Sequence, residues 1–444
     1  MILPKNWTVT SFEEILDYEQ PTAYIVNSTN YNDAYETAVL TAGKSFIIGY
    51  TNEKTGIYSK NLPVIIFDDF TSATQYVTFP FKVKSSAMKI LQPVNDKLNK
   101  KYIYYFMQTI KHNVTTHKRY WISDYSKRTI PFPPITEQHR IVAKIDALFS
   151  KLDKGVETLK TIRQQLRIYR QAVLEWALEK KEWEMKPLRS IVETIFDGPF
   201  GSNLKTDDYT DNGVRVVRLE NLKPMRFFDG KKSYISFEKY QILSRNTVKY
   251  PDLIMGTFIS GEIKVCLIPE GIEKAINKAD CVCIRTSNPT LSRFVMYYLS
   301  SKRVYDRFFS QIHGATRPRV NTTQIKEIFV PVATANEQAA IVTEIESRLS
   351  VCDKLEAIVD ESLAKAEALR QSILKKAFAG QLVPQDPNDE PAEKLLERIR
   401  KEKYRRMERM KTNELIRDNS RDSMTLKRSS QVVKSKSSRK SKRG

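Results

Sequence analysis

EQHRIVAKIDALFSKLDKGVETLKTIRQQLRIYRQAVLEWALEK, residues 137–180, is the stretch whose reading decides the architecture of this chain. Ile145, Leu152, Leu159, Leu166 and Val173 recur every seven residues. A second row, Ile141, Leu148, Ile162, Tyr169 and Trp176, follows the same spacing, and only Gly155 interrupts it. Apolar residues in this a/d pattern predict a long helix packed on a partner helix. At 1.5 Å per residue it would run roughly 66 Å, longer than most globular helices.

The partner is in the same chain. Adding 200 to each number turns Glu137-Gln138 into Glu337-Gln338, Asp153-Lys154 into Asp353-Lys354, and Arg170-Gln171 into Arg370-Gln371, without insertion or deletion. Pro131 in IPFPPITEQ maps onto Pro331 in VPVATANEQ. The chain is an internal duplication. The second seam is weaker, with Arg348, Ser362 and Lys376 on its second row, but Ile341, Ile345, Cys352, Leu355, Val359, Ala366, Leu369 and Ile373 still mark an apolar face. Burying both faces against each other satisfies both. The connecting segment leaves the end of the first helix and enters the start of the second, so an antiparallel pair needs the shorter path. This predicts an α+β protein: two globular α/β units separated by two long antiparallel coiled-coil helices, one unit at each end.

Length and charge narrow the function. A chain of 444 residues has room for two or three domains, and a net charge of +21 points to a polyanionic partner. Between 427 and 443 there are eight basic residues and no acidic one, which reads as a solvated, disordered tail. The remainder still carries about +13. Four cysteines, Cys266, Cys281, Cys283 and Cys352, have neither zinc-site nor disulfide spacing. No signal core and no long apolar window are present, so the expectation is a soluble cytoplasmic protein.

Each unit carries a basic loop shortly before the proline that opens its long helix. In the first it is 115–121, with Thr116, His117, Lys118, Arg119 and Tyr120; in the second it is 313–319, with Thr316, Arg317 and Arg319. Arginine and lysine neutralise phosphates, and the arginine fork reads guanine edges, so these loops are candidate DNA contacts. A solvated loop would have the same composition. The stretch 197–205 adds Gly198, Gly201, Ser202, Asn203 and Lys205, where glycine permits close backbone approach. Arg215, Arg218 and Asn221 follow on an expected strand.

Two catalytic patterns compete with this reading. Residues 38–45 satisfy a loose phosphate-loop pattern, but the following Phe46-Ile47-Ile48-Gly49-Tyr50 is strand-like where a helix is needed. Residues 251–264, with Pro251-Asp252 and Glu262-Ile263-Lys264, fit a short metal-dependent nuclease pattern that has no counterpart in the other half. The only Pro-Pro pair is Pro133-Pro134, without the Asn or Asp of a DNA amino-methyltransferase, and the four histidines form no metal or triad spacing. A nuclease or ATPase is therefore the alternative to a DNA-binding protein, and a helical scaffold without base readout is a third possibility.

Up to about Lys403 the chain resembles the DNA specificity subunits of Type I restriction-modification systems. The resemblance rests on Pro131 to Gln138 and its degenerate repeat at Pro331 to Gln338, on Trp183 with residues 197–202 and 216–222, and on KAFAGQLVPQDP at 376–387 followed by PAEKLL at 391–396. It implies a non-catalytic subunit with this layout: target recognition domain 1 at 1–135, a central spacer helix at 136–181, target recognition domain 2 at 182–335, a second spacer helix at 336–380, a C-terminal helical segment at 381–410 and a basic tail at 411–444. It further implies double-stranded DNA as ligand, methyltransferase subunits, usually two, docked on the helices, and restriction-translocase subunits joining for cleavage. S-adenosylmethionine, ATP and Mg²⁺ would reside on those partners and none on this chain. Two features depart from the family: the second helix approach has lost its Pro-Pro, and the basic tail lies beyond the resemblance.

Overall fold

In the computed structural model the described residues are 3–41, 45–110, 119–179, 182–259, 261–311, 319–405 and 408. The chain divides into two compact units, Met1–Val156 with Ala364–Gly444, and Glu157–Leu363. Each contains an α/β head and one part of each of two long helices, Ile135–Glu179 and Ala335–Phe378.

The heads share a plan. In the first unit an antiparallel four-stranded sheet is ordered Leu16–Glu19, Met88–Pro93, Val64–Asp68, Thr74–Val77. In the second the order is Thr194–Phe196, Cys281–Arg285, Leu253–Gly256, Val265–Leu267, again antiparallel throughout. Val64–Asp68 and Leu253–Gly256 are central and buried along their whole length, as runs rich in β-branched and other apolar residues require. Beside each four-stranded sheet lies another built on a parallel pair: Thr37–Leu40 with Phe81–Val83 in the first unit, Val214–Val217 with Ala275–Asn277 in the second. A two-stranded ladder closes each head just before its long helix. Thr8–Ser11 pairs with Thr129–Phe132, and Met185–Pro187 pairs with Phe329–Pro331. Pro131 and Pro331 fit there because a two-stranded ladder leaves each strand an edge that needs no donor.

The repeated Glu-Gln has a structural cause. Gln138 Nε2 donates to the Pro133 carbonyl at 3.1 Å, and Gln338 Nε2 donates to the Ala333 carbonyl at 2.8 Å, so each glutamine satisfies a carbonyl just ahead of its helix. In the second helix Thr334 and Glu337 close a capping box, with the Thr334 amide donating to Glu337 Oε2 at 2.9 Å. Position 134 of the first helix is proline, which has neither amide hydrogen nor hydroxyl. Glu137 is thereby released, and its buried carboxylate accepts Trp7 Nε1 at 2.9 Å and Gln385 Nε2 at 2.6 Å. Burial raises the Glu137 carboxyl above the usual range against these two hydrogen bonds.

Gln385 belongs to a C-terminal segment that packs on the first head. The second helix stops at Phe378 and the chain turns at Gly380, whose positive φ and close approach to Pro4 exclude a side chain. Residues 392–405 are helical and bury Ala392, Leu395, Leu396 and Ile399. Asp389, buried, accepts Arg140 Nη2 at 2.6 Å and Thr136 Oγ1 at 2.5 Å.

The helices pair antiparallel in both units. Asp153 bonds Arg370 in the first unit; in the second, Arg163 bonds Asp360 and Arg170 bonds Asp353 at 2.5 Å. Within the second unit, seven residues forward on one helix is seven back on the other. The offset of 200 converts the Asp153–Arg370 pair into Asp353–Arg170, so the same contact recurs in each unit. These pairs are partly exposed and worth about 0–1 kcal/mol each, so they set register more than stability.

One seam row is occupied as the heptads predict. Ile145, Leu166, Val173, Ile345, Val359 and Ile373 are buried, and Leu152 and Leu159 are half-buried. The other row is displaced by one residue. It runs Val142, Phe149, Val156, Arg163, Arg170, Ala177 and, in the second helix, Val342, Leu349, Glu356, Leu363, Arg370, Ala377. Leu355 and Leu369, expected in the seam, are 43% and 50% exposed, and Tyr169 and Trp176 also face outward. With 3.6 residues per turn, the second seam row can stand three or four positions from the first. Here the four-residue step prevails, because arginines at 163, 170 and 370 find carboxylates across the interface.

Candidate nucleic-acid interface

In the first unit Thr116, His117 and Lys118 lie outside the described residues, and the chain resumes at an exposed Arg119. Its exit is fixed. The Tyr120 amide donates to the Asp69 carbonyl at 2.9 Å, and the Trp121 amide donates to Asp69 Oδ1 at 2.8 Å. The other Asp69 oxygen is 3.4 Å from Lys89 Nζ, and both side chains are buried. Isolated burial of either charge would be costly, and here the carboxylate is shared between the Lys89 ammonium on one oxygen and the Trp121 amide on the other. Tyr120, a candidate DNA contact from its place in a basic loop, is turned away from the surface. It is 3% exposed, because the short helix Tyr120–Ser123 begins here and turns Tyr120 and Trp121 into the core around Phe67 and Tyr125.

The second unit repeats the tether. Thr316 and Arg317 lie outside the described residues. The Val320 amide donates to the Thr257 carbonyl at 2.9 Å, and Thr257 follows Leu253–Gly256 as Asp69 follows Val64–Asp68. Arg319 stays at the surface, paired with Asp280 at 2.6 Å and lying 5.4 Å from the Phe258 ring centroid.

The stretch after Asp197 divides into two kinds of residue. Gly201, Ser202, Asn203 and Lys205 are exposed on a turn closed by the Asn203 amide on the Phe200 carbonyl at 2.8 Å and pinned by buried Leu204. Gly198 is buried, and a Cβ there would stand 2.4 Å from the Asn277 carbonyl oxygen, so the glycine serves packing and not DNA approach. Arg215 and Asn221 are likewise internal. Arg215 Nη2 donates to Asp229 at 2.8 Å and to the Lys231 carbonyl at 3.0 Å, and Asn221 Nδ2 donates to the carbonyls of Phe228 and Lys231. Together they shape the 228–231 turn. The alternation that marks Arg215 as strand-borne cannot tell which face meets a folded-over turn.

Arg218 remains partly exposed beside Tyr209, 5.6 Å from its ring centroid, and Lys278 approaches the same ring at 5.4 Å. Lys278 and Tyr209 carried no sequence signal, since they meet across 69 residues. Gly198 packs on Lys278, and Asp280, two residues on, holds Arg319. The fold thus places Arg218 and Lys278 at one tyrosine ring and Arg319 at Asp280, two residues beyond Lys278, with Arg218 paired to Glu220 and Arg319 to Asp280.

A family model described as the Type I restriction modification DNA specificity domain matches residues 4–166. The specificity subunit of the Type I restriction enzyme EcoR124I/EcoR124II from Escherichia coli is 30% identical over 371 residues, covering 81% of this chain and 89% of that protein. This chain belongs to the Type I restriction enzyme specificity subunits. The EcoBI specificity subunit of Escherichia coli is 26% identical over 400 residues, covering 81% of this chain and 83% of that one. A solved structure titled "Structural basis underlying complex assembly and conformational transition of the type I R-M system" aligns with a TM-score of 0.61 at 16% identity, covering 86% of this chain and 100% of that one. At that identity the likeness is one of fold.

As a specificity subunit the chain is a non-catalytic component of a restriction-modification complex, and the nuclease and ATPase alternatives gain no support. The geometry of both patterns agrees. Asp252 is buried and receives Arg285 Nε at 2.9 Å and Nη2 at 2.7 Å, so both of its oxygens are engaged in an ion pair that raises the arginine above its ordinary value. In the phosphate-loop pattern, residues 42–44 lie outside the described residues, and the next element is the strand Ile47–Thr51, which pairs back on Thr37–Leu40. No helix among the described residues is long and apolar enough to cross a membrane.

Proposed function

We propose that this chain reads a bipartite site in double-stranded DNA, one half with each head, and that the helix pair sets the gap between the halves. The observation that carries this reading is the doubled tether: Tyr120 on Asp69 and Val320 on Thr257 hold the exits of two differently composed basic loops at corresponding places in two heads. Arg119, Arg319, Arg218, Lys205 and the exposed 201–203 turn are the described contacts, joined by Thr116, His117, Lys118, Thr316 and Arg317. Readers entering successive major grooves on one face of B-DNA stand about 34 Å apart or a multiple of it, within reach of helices roughly 66 Å long. Methyltransferase subunits, two per chain, dock on the helices, where Ile168, Val351, Leu355 and Ile358 present apolar side chains to solvent. Restriction-translocase subunits join them in the cytoplasm, and S-adenosylmethionine, ATP and Mg²⁺ act on the partners.

The test is exchange of residues 1–135 for those of another specificity subunit, followed by long-read mapping of methylated bases. One half of the methylated motif should change while the other half and the gap stay fixed. A motif that changes throughout, or not at all, would reject the assignment of one half-site to each head.

A further inference from the structure

The two heads hold the exits of their basic loops with different chemistry. In the first, Asp69 supplies both acceptors, its carbonyl to the Tyr120 amide and its carboxylate to the Trp121 amide. In the second, Thr257 stands at the corresponding place and supplies only a carbonyl, to the Val320 amide. Its own hydroxyl is buried and meets no hydrogen-bond partner among the described residues. The carboxylate comes from another element. Thr322, two residues past Val320, donates its hydroxyl to Asp197 Oδ1. Thr322 also opens the short helix Thr322–Lys326, whose N-cap Asn321 closes a capping box with Gln324. With Arg319 paired to Asp280, the chain leaving the second basic loop is held at successive residues, and Asp197 is the hold that comes from farthest away in sequence.

Asp197 is also the root of the 200–205 turn. It follows the strand Thr194–Phe196, and its carbonyl accepts Asn246 Nδ2 at 2.7 Å. Gly198 and Pro199, both buried, separate it from the exposed residues 200–203. Gly198 has no room for a side chain against the Asn277–Lys278 backbone, so these close-packed contacts pass a displacement of Asp197 on to the turn instead of absorbing it. One aspartate thus joins two candidate DNA-contacting segments, the turn through its backbone and the loop exit through its carboxylate. We propose that Asp197 is a positioning residue for the second half-site: through Thr322 it fixes the 200–205 turn against the exit of the second basic loop, so that the bases touched by the two segments are read as one unit. The proposal rests on the functional reading above and gives Asp197 itself no contact with DNA. Hydrogen bonds to base edges weaken steeply with distance and angle, whereas attraction to phosphate does not. Freeing the turn from the loop exit therefore costs discrimination between bases before it costs affinity for DNA.

The test uses the full chain in complex with its methyltransferase subunits, unaltered and as Asp197→Ala, Asp197→Asn, Thr322→Val and the combination of Asp197→Ala with Thr322→Val. Mapping of methylated bases with the unaltered complex defines the two halves of the motif. The kcat/KM for methyl transfer is then measured on duplexes carrying one base change in either half, beside the melting temperature of each form. A single mismatch in a specific site is normally rejected by about 5- to 150-fold. In Asp197→Ala and in Thr322→Val that rejection should fall by about 5-fold in the second half, the contribution of one hydrogen bond, and stay unchanged in the first. Asp197→Asn keeps an oxygen that accepts from Thr322 and should keep the discrimination. The combined variant should discriminate no worse than either single one, because both remove the same hydrogen bond. Unchanged discrimination in the second half by folded Asp197→Ala and Thr322→Val would overturn the proposal. So would an equal loss in both halves, a lower melting temperature with all duplexes used equally poorly, or Asp197→Asn as defective as Asp197→Ala. If the unaltered complex rejects no mismatch in either half, the functional reading itself fails and this proposal with it.

Discussion

Removing Arg140 should loosen the C-terminal segment more than removing its partner Asp389. The Asp389 side chain is 6% exposed and the Arg140 side chain 35%. Arg140→Ala leaves a buried carboxylate with the Thr136 hydroxyl as its remaining side-chain donor, a loss of about 2 kcal/mol. Asp389→Ala leaves a guanidinium that water can reach, at about 1 kcal/mol. Read by hydrogen exchange and mass spectrometry at residues 392–399, these correspond to about 30-fold and about 5-fold faster local opening. The pH dependence has a definite sign. Arg140 holds the Asp389 carboxyl below its usual range, so its contribution is fully present above the unfolded value, about 3.9, and is lost as pH falls through the lower folded value. In Arg140→Ala burial is left to raise that carboxyl, and protonation then relieves the unpaired charge. The defect should be largest near neutrality and shrink toward acid. Unchanged exchange at 392–399 in both variants, or a larger effect from Asp389→Ala, would refute the reasoning.

Three further outcomes follow from the geometry. Gly198→Ala places a methyl group against the Asn277–Lys278 backbone and should destabilise the second head by about 2 kcal/mol or more, seen as a lower melting temperature. Arg319→Ala should weaken binding to the motif by about 1–3 kcal/mol with melting unchanged, whereas Arg215→Ala should lower the melting temperature first, since its guanidinium holds the 228–231 turn. Serine at Val351, Leu355 and Ile358 should change stability by no more than about 0.5 kcal/mol each while reducing methyltransferase occupancy in native mass spectrometry.

The duplication and the antiparallel helix pair were legible because they are written as a fixed offset and a seven-residue period. The second seam row was not. Apolar scoring favours Leu148, Tyr169 and Trp176, while the fold places Arg163 and Arg170 at the interface, where their fitness depends on Asp360 and Asp353 nearly 200 residues away. The candidate site was legible as charge but not as exposure. Tyr120, Arg215, Asn221 and Gly198 have the residue types of DNA contacts, and each is claimed by the fold for a task set by a distant partner: the core around Phe67, the 228–231 turn, the Ala275–Asn277 strand. Lys278 was invisible for the converse reason, because only the parallel pairing of Ala275–Asn277 with Val214–Val217 carries it to Arg218 and Tyr209.

Lengthening both helices by one heptad tests the role of the helix pair most directly. Seven residues inserted after Thr158 and seven after Ala364 keep the seam in phase and leave the Asp153–Arg370 and Arg163–Asp360 contacts intact. The rise is about 10.5 Å, or about three base pairs. Mapping of methylated bases should return the same two half-sites with the gap widened by about three base pairs. The same half-sites at the original gap, methylated by a folded variant, would contradict the claim that the helices measure the distance between them.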